Sequence, residues 1–369
     1  MRVLITGANG FIAKNLIISL KENNSFEIST FTRSDDNQRL ISLVKDVDII
    51  FHLAGENRPK SIEDFEINNV QLTQDLCDAI KLTSRKIPII FTSSTQSGLD
   101  NPYGVSKKTS EEILRQFSQS FSNPVSIFRL PGVFGKWCRP DYNSVVATFC
   151  NNIARGMPAV VYDSERVITL AYIDDVVDGL IKAVGFESPE VQYVSVSPEY
   201  EISLKDLAAQ IQLFKDSRTT LITENVGSGL IRCLYSTYLS YLSPAQFAYE
   251  LTAHSDSRGV FVEMLKTSDS GQFSFFTALP GVTRGGHYHH SKTEKFLVAQ
   301  GKAVFKFRHL VTNEMIEIHT SGSKPEIVES IPGWAHDITN IGADNLIVLL
   351  WANEMFDRHL PDTISSPIN

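Results

Sequence analysis

The hydrophobic rhythm of the chain changes near residue 244, and no single layer architecture can carry both halves. Before that point, short apolar runs at residues 3–5, 28–31, 48–53, 88–92 and 125–129 alternate with amphipathic stretches such as 15–21 and 110–117. Apolar runs of this length suit parallel strands covered on both faces, and their alternation with helices predicts a Rossmann-like, doubly wound α/β domain over residues 1–243. Beyond it, short alternating runs at 259–264, 272–277, 295–299, 303–307 and 346–351 are separated by Gly and Pro turns. That texture predicts an all-β barrel over residues 244–369, with a linker at 241–245. Histidine usage shifts at the same place: of nine histidines only His52 precedes residue 250. A length of 369 residues accommodates two such domains.

Charge and cysteine content narrow the function. With 34 Lys and Arg against 42 Asp and Glu, the net charge is -8. This argues against a nucleic-acid or anionic-membrane binder, while leaving room for a local phosphate cradle. No run approaches the roughly 18 apolar residues of a membrane span. The chain opens on a strand and a glycine turn, so no signal peptide is expected. Cys77, Cys138, Cys150 and Cys233 are scattered without a Cys-x-x-Cys. Reduced, mostly buried thiols and a cytoplasmic location are expected.

The turn after the first strand is Gly7-Ala8-Asn9-Gly10-Phe11-Ile12-Ala13. Gly7 permits a tight turn, Gly10 lets backbone approach a pyrophosphate, and a small residue at 13 lets the helix pack close to the sheet. The N–H groups from Asn9 to Ile12 then face a dinucleotide's phosphates. An ordinary tight turn would look alike; the βαβ context favours the cofactor. Arg33, at the end of the second strand, suits the 2′-phosphate of NADPH, although Asp35 and Asp36 leave NAD open. In Tyr103-Gly104-Val105-Ser106-Lys107 the phenol and the ammonium share one helix face. Lys107 is expected to lower the phenol's pKa so that Tyr103 can protonate an alkoxide formed by hydride addition, with Ser94 holding the same oxygen. Ser93 and Thr95 are weaker substitutes for Ser94.

Residues 1 to about 240 resemble an extended short-chain dehydrogenase/reductase acting on nucleotide sugars. The resemblance is carried by Thr6-Gly7-Ala8-Asn9-Gly10-Phe11-Ile12, His52-Leu53-Ala54-Gly55, Ser93-Ser94, Tyr103 to Lys107, and Tyr172-Ile173-Asp174-Asp175-Val176. It implies Ser94, Tyr103 and Lys107 as the catalytic trio, with Tyr103 and Lys107 also contacting the cofactor. Leu53 and Ala54 would line the adenosine side and Pro131 the nicotinamide end. Two departures matter. Thr95 and Gln96 stand where sugar dehydratases of the family carry an Asp-Glu pair, and neither titrates, which disfavours dehydration. The gap between Ser94 and Tyr103 is short for a sugar epimerase. The family's diphosphate-binding arginine is not in its usual place, and Arg166 is the nearest candidate.

In the second half, His287 and His289 are two apart and share a strand face; Glu294 and His336 follow. Three imidazoles and a carboxylate suit Zn²⁺ or another first-row divalent ion. The spacing Gly281-x5-His287-x-His289-x4-Glu294-x6-Gly301, followed by Gly333-x2-His336-x3-Asn340, resembles the two cupin motifs and implies a small metal-holding barrel. Asp256-Ser257-Arg258-Gly259-Val260-Phe261 resembles the start of cupin-type deoxysugar epimerases, which invert a carbon beside a sugar ketone. His290 is a rival ligand or a candidate base, alongside a hydroxide at the metal. His254, His309, His319 and His359 are given no role.

The pairing of these halves resembles the bifunctional capsular-polysaccharide enzymes of the CapF type. That resemblance implies a homodimer whose cupin epimerises C3 of a UDP-2-acetamido-2,6-dideoxy-4-hexulose. Its reductase half then reduces C4 with NADPH to UDP-2-acetamido-2,6-dideoxy-L-talose. Two alternatives stand beside it: a simple reductase with a non-catalytic cupin, and a redox-neutral epimerase that retains NAD.

Overall fold

A computed structural model describes residues 1–256, 259–262, 265, 271–354 and 359–368. The N-terminal sheet is built from β1 (Arg2–Thr6), β2 (Glu27–Phe31), β3 (Ile49–His52), β4 (Ile89–Ser94), β5 (Val125–Leu130) and, later in the chain, β8 (Val191–Val194). All neighbours are parallel and the order is β2-β1-β3-β4-β5-β8. Every residue of β3 and β4 is buried, which is why each strand opens on an apolar run, Ile-Ile-Phe, before its polar end. The expected strands are present, with ends displaced by one or two residues. The order reverses between β1 and β3, and a crevice at the carboxyl ends of such strands is where this architecture holds ligands.

The helices of this half are α1 (Phe11–Glu22), α2 (Asn37–Val44), α3 (Glu63–Phe65), which runs through a π-helical stretch at Glu66–Gln71 into α4 (Leu72–Lys81), α5 (Pro102–Phe121), α6 (Val145–Ala154), α7 (Ile173–Lys182), α8 (Leu204–Thr220) and α9 (Gly229–Leu239). Between β4 and α5 lies a 3₁₀ turn, Thr95–Gly98. The start of α5 is well specified: Asn101 caps the Gly104 N–H at 2.8 Å and Pro102 occupies the first turn. A separate three-stranded sheet joins β6 (Gly132–Phe134), β7 (Val167–Tyr172) and β9 (Glu199–Ser203).

After a 3₁₀ turn at Pro244–Gln246, the regular elements among the described residues of the C-terminal half are all strands. Its strands are β10 (Ala248–Glu250), β11 (Ala253–Asp256), β12 (Gly259–Val262), β13 (Gln272–Ala278), β14 (Thr283–Tyr288), β15 (Glu294–Gln300), β16 (Lys302–His309), β17 (Met315–Ser321), β18 (Glu326–Glu329), β19 (Trp334–Asn340), β20 (Leu346–Ala352) and β21 (Ile364–Ser365). Two antiparallel five-stranded sheets, β10-β18-β15-β20-β13 and β17-β16-β19-β14-β21, form a cupin-like barrel. Its core joins them through Phe296 on β15 and Phe305 on β16, whose rings lie 5.4 Å apart. Of the expected run at 259–264, residues 263 and 264 lie outside the described residues, as do Ser257 and Arg258 of the epimerase-like opening.

By compactness the chain divides into one unit of Met1–Phe134, Tyr142–Ser144 and Ile168–Glu201, and a second of Gly135–Asp141, Val145–Val167 and Ile202–Asn369. The periodicity boundary near 243 marks where backbone type changes, a different quantity. Within the second unit, α8 is tied to the barrel by a buried ion cluster. Lys295 Nζ lies 2.6 Å from Glu329 Oε1, and Arg218 Nη2 lies 3.1 Å from Glu329 Oε2. A buried carboxylate flanked by two cations avoids the cost of an unpaired charge.

Candidate active site and metal centre

The turn after β1 is drawn tight against the end of β3. Gly7 has φ +69°, and a Cβ on it would stand 2.6 Å from Ala54 Cα, so only glycine fits. The Ala54 N–H donates to Thr6 Oγ1 at 3.2 Å, and Thr6 Oγ1 meets His52 Nδ1 at 2.8 Å, which locks the two strand ends together. His52 is fully buried and its pKa is pushed down to about 3, first by burial and then by Lys107. It is therefore a neutral structural ring. Helix α1 starts at Gly10 without a side-chain cap, so its first N–H groups point outward, as a pyrophosphate requires. Ala13 is buried, as close packing on the sheet demands. Together, the cradle at Gly7 and the uncapped helix fit a dinucleotide.

Ser94 ends β4, and its hydroxyl stands close enough to Tyr103 to pull the phenol's pKa down in part. The same Oγ accepts from the Gln96 N–H at 3.1 Å, fixing the 3₁₀ turn. Against that turn packs Gly104, where a Cβ would lie 2.2 Å from Gln96 O; a larger residue would push the Tyr103 turn of α5 away from Ser94. Ser93 faces the other way and donates to Glu111, which also takes the Arg129 guanidinium at 2.6 Å. Of the two serines, Ser94 is the one beside the phenol. Lys107 is buried, its Nζ donating to Thr92 O at 2.9 Å, and a Cβ on Gly55 would lie 3.0 Å from that nitrogen. Burial pulls its pKa down to about 8 against the opposing pull of Glu111. The Tyr103 pKa is raised by burial, which the Ser94 hydrogen bond only partly counters. The expectation that Lys107 lowers it is thus corrected: the ammonium is committed to a main-chain carbonyl, and desolvation dominates at the phenol.

Arg33 is largely exposed, and its guanidinium is paired with the buried carboxylate of Glu56. Tyr142 Oη donates to the same carboxylate at 2.6 Å. The Glu56 main chain is held by Asn69, whose Oδ1 accepts from Glu56 N at 2.6 Å and whose Nδ2 donates to Glu56 O at 3.0 Å. Asn69 Nδ2 also donates to Ser106 Oγ at 2.9 Å, linking this end of the crevice to α5.

In the barrel, β14 and β19 pair so that His287 stands opposite His336, with a register shift between Gly285 and His287. Ligand atoms of His287, His289, Glu294 and His336 all lie within 4.8 Å of one another. His289 Nδ1 faces the carbonyl oxygen of Asp362, which can only accept, so the ring proton sits there. Its Nε2 then meets Glu294 Oε2 at 3.0 Å, and His336 Nε2 lies 3.3 Å from the same oxygen. Neither ring nitrogen of His336 has a hydrogen bond among the described residues. Nitrogen and oxygen atoms that converge in this way can be satisfied by a cation between them, so the donor set fits a divalent ion. Burial opposes ionisation of Glu294; a proton on the His289 or His336 nitrogen that faces it outweighs that burial and holds the carboxyl well below its usual range. Burial, reinforced by the other imidazoles, pushes His287 down to about 4, which leaves a neutral ring suited to ligation.

The comparisons agree with this geometry. The model of the NAD dependent epimerase/dehydratase family matches residues 3–194, and that of the polysaccharide biosynthesis C-terminal domain matches residues 254–364. A Pseudomonas aeruginosa relative, UDP-2-acetamido-2,6-beta-L-arabino-hexul-4-ose reductase, is 54% identical over 368 residues, covering 100% of this chain and 99% of its own. The capsular polysaccharide assembling protein CapF from Staphylococcus aureus superposes over 100% of both chains, with a TM-score of 0.68 and 39% identity. The chain belongs to the CapF-type family of capsular polysaccharide enzymes. A UDP-glucuronic acid 4-epimerase from Bacillus cereus, solved with NAD, matches 58% of this chain and 83% of its own at TM-score 0.52 and 22% identity, a likeness of fold.

Against this CapF-type framework the expected residues sort clearly. Gly7, Asn9, Gly10, Phe11 and Ile12 lie on the turn and first helix, with Leu53 and Ala54 across from them. Ser94 and Tyr103 are in contact with each other. Pro131, just past β5, is partly buried, and Arg166 is exposed. His290 is the residue the structure does not bring in: its ring packs edge-on against Tyr288 at 5.7 Å, outside the four-ligand cluster. β14 ends at Tyr288, so His290 lies in the bend beyond the strand, where its ring turns to Tyr288. The sequence reading missed Glu56, Asn69 and Asp362. Asn69 sits in the π-helical stretch, a feature that tends to mark functional positions but has no sequence signature here.

Proposed function

We propose that the chain is a two-centre nucleotide-sugar enzyme of capsule synthesis. The cupin inverts C3 of a UDP-2-acetamido-2,6-dideoxy-4-hexulose, and the reductase centre reduces the C4 ketone to give UDP-2-acetamido-2,6-dideoxy-L-talose. The observation that carries this reading is the presence, in one chain, of Ser94 beside Tyr103 behind a dinucleotide turn and a convergent His₃Glu set. The substrate is taken from the P. aeruginosa relative, whose name specifies reduction of a UDP-linked hexul-4-ose.

At the reductase centre, NADPH held by Gly7, Asn9, Gly10, Phe11, Ile12, Leu53, Ala54 and Pro131 supplies the hydride. Ser94 and Tyr103 hydrogen-bond the ketone oxygen, and the phenol gives up its proton as the carbonyl becomes an alcohol. A raised phenol pKa keeps that proton in place until charge develops on the acceptor. Lys107 keeps a positive charge beneath the reacting centre, and Arg33 favours a 2′-phosphate. In the barrel, a divalent ion held by His287, His289, Glu294 and His336 supplies positive charge beside the substrate ketone, the condition that acidifies the neighbouring C3–H. Phe273 and Phe275, both more than half exposed on the edge strand β13, offer an apolar surface to a second copy of the chain and support the homodimer in this reading.

The test is incubation of a UDP-4-keto-6-deoxy-HexNAc in deuterated buffer with and without NADPH, followed by proton NMR. Tyr103→Phe should lose reduction by about 10²–10⁴-fold while C3 exchange continues. His287→Ala should lose exchange. Exchange unaffected by His287→Ala would reduce the cupin to a binding module, and turnover without net NADPH consumption would favour a redox-neutral epimerase.

A further inference from the structure

After the barrel is complete, the chain returns to the metal centre. β21 pairs antiparallel with β14, setting Ser365 opposite His287 and Ile364 opposite Tyr288. The Ser366 N–H donates to Gly286 O at 2.7 Å, and Arg308 Nη2 donates to Ser366 Oγ at 2.8 Å. Just upstream, Thr363 Oγ1 accepts from Lys292 Nζ at 2.7 Å. Asp362 precedes these contacts and engages the metal centre twice. Its carboxylate gathers three consecutive main-chain N–H groups: His290 at 2.8 Å on Oδ1, then Ser291 at 2.8 Å and Lys292 at 2.6 Å on Oδ2. The Ser291 hydroxyl adds a fourth contact at 3.2 Å. Its main-chain carbonyl accepts from Nδ1 of His289.

We propose that Asp362 is the positioning residue of the metal centre: its carboxylate clamps the turn that follows His289, and the carbonyl so fixed selects the Nδ1–H tautomer and aims Nε2 at the ion. The inference rests on the metal reading given above. The two halves of the residue act on adjacent targets, so the side chain determines where the carbonyl stands. A histidine ligand whose distal nitrogen donates to a fixed acceptor binds metal more tightly, and loss of such an acceptor costs 10–100-fold in affinity. Truncation of the side chain frees residues 290–292 and leaves the ring without a fixed partner.

The experiment uses the full-length chain, stripped with a chelator and titrated with Zn²⁺ against a chromophoric competitor. Co²⁺ is loaded in parallel and its visible d–d bands recorded. Asp362→Ala should bind Zn²⁺ roughly 10–100-fold more weakly, with altered Co²⁺ bands. Asp362→Asn keeps one acceptor oxygen and the main-chain carbonyl, and should fall between Asp362→Ala and the parent. If Asp362→Ala does not fold, the Asn variant carries the test, and a smaller loss with a shifted Co²⁺ spectrum supports the assignment. Parent-like affinity and an unchanged Co²⁺ spectrum in a folded variant overturn the positioning role alone. A parent chain that takes up no ion overturns that role and the metal reading together.

Discussion

Lys107 makes the sharpest prediction. Its amine is buried beside Gly55 and bonded to the Thr92 carbonyl, and its pKa is pushed from an ordinary 10.5 to about 8. That fall corresponds to about 3 kcal/mol against the ammonium. If the positive charge is needed for reduction, kcat/KM for the 4-keto sugar, which reports the free enzyme, should be level below pH 8. It should fall to about one-tenth by pH 9 and about one-hundredth by pH 10. Tyr103 does not account for a limb centred near pH 8, because burial raises its phenol above the ordinary tyrosine value. The assay is NADPH oxidation at sub-saturating sugar across pH 6.5–10 (a range chosen to bracket the limb, from roughly one and a half units below to two above), with Lys107→Arg alongside. The guanidinium stays charged throughout, so the descending limb should vanish in the variant even if its plateau is lower. Stability supplies a second arm. The folded pKa lies below the unfolded one, so between pH 8 and 10.5 the unfolded chain binds the extra proton and stability rises with pH. At pH 7 the folded protein bears the full cost. Lys107→Met should therefore gain about 1–3 kcal/mol in urea unfolding, after loss of the Thr92 hydrogen bond, while reduction is abolished. A parent profile flat to pH 10, or a limb near pH 8 that persists in Lys107→Arg, refutes the reasoning.

Two further outcomes test the cofactor crevice. Arg33→Ala should raise the KM for NADPH about 10–100-fold and leave that for NADH nearly unchanged, as expected for the loss of one charge-assisted contact; steady-state kinetics with both cofactors decides it. Gly7→Ala should lower stability by about 1–3 kcal/mol and abolish cofactor binding, since the new Cβ meets Ala54 at 2.6 Å in a left-handed conformation; thermal melts with and without NADPH measure both effects.

What could be read from the sequence was whatever local spacing dictates. Tyr103 and Lys107 fall on one helix face because four residues make about one turn, and His287 and His289 fall on one strand face because two make a pleat. The spacing left His290 open as a rival ligand; it lies in the bend past the end of β14, with its ring against Tyr288 and outside the four-ligand cluster. The phenol's pKa was misjudged for a different reason. Proximity along a helix shows that two groups can interact, but not which acceptor the ammonium prefers or how dry the pocket is. Lys107 finds the Thr92 carbonyl, and burial sets the sign at Tyr103.

Residues that act by closing long loops left no trace in the sequence. Glu56 meets Tyr142 across 86 positions, and Asp362 meets His290 across 72. Each is an unremarked acid in a polar stretch until the chain folds back. Their burial follows a common rule: a carboxylate withdrawn from water must collect donors, and Asp362 collects three successive N–H groups while Glu56 collects a phenol and a guanidinium. The rule also explains the division of the chain. Glu329 on β18 is compensated by Lys295 on β15 and by Arg218 on α8, so a helix written in the rhythm of the first half is fastened to the barrel by charge that the hydrophobic pattern does not encode. Cutting at the change of rhythm would remove one of the two cations from a buried acid. The barrel's stability therefore draws on residues upstream of the place where its own texture begins.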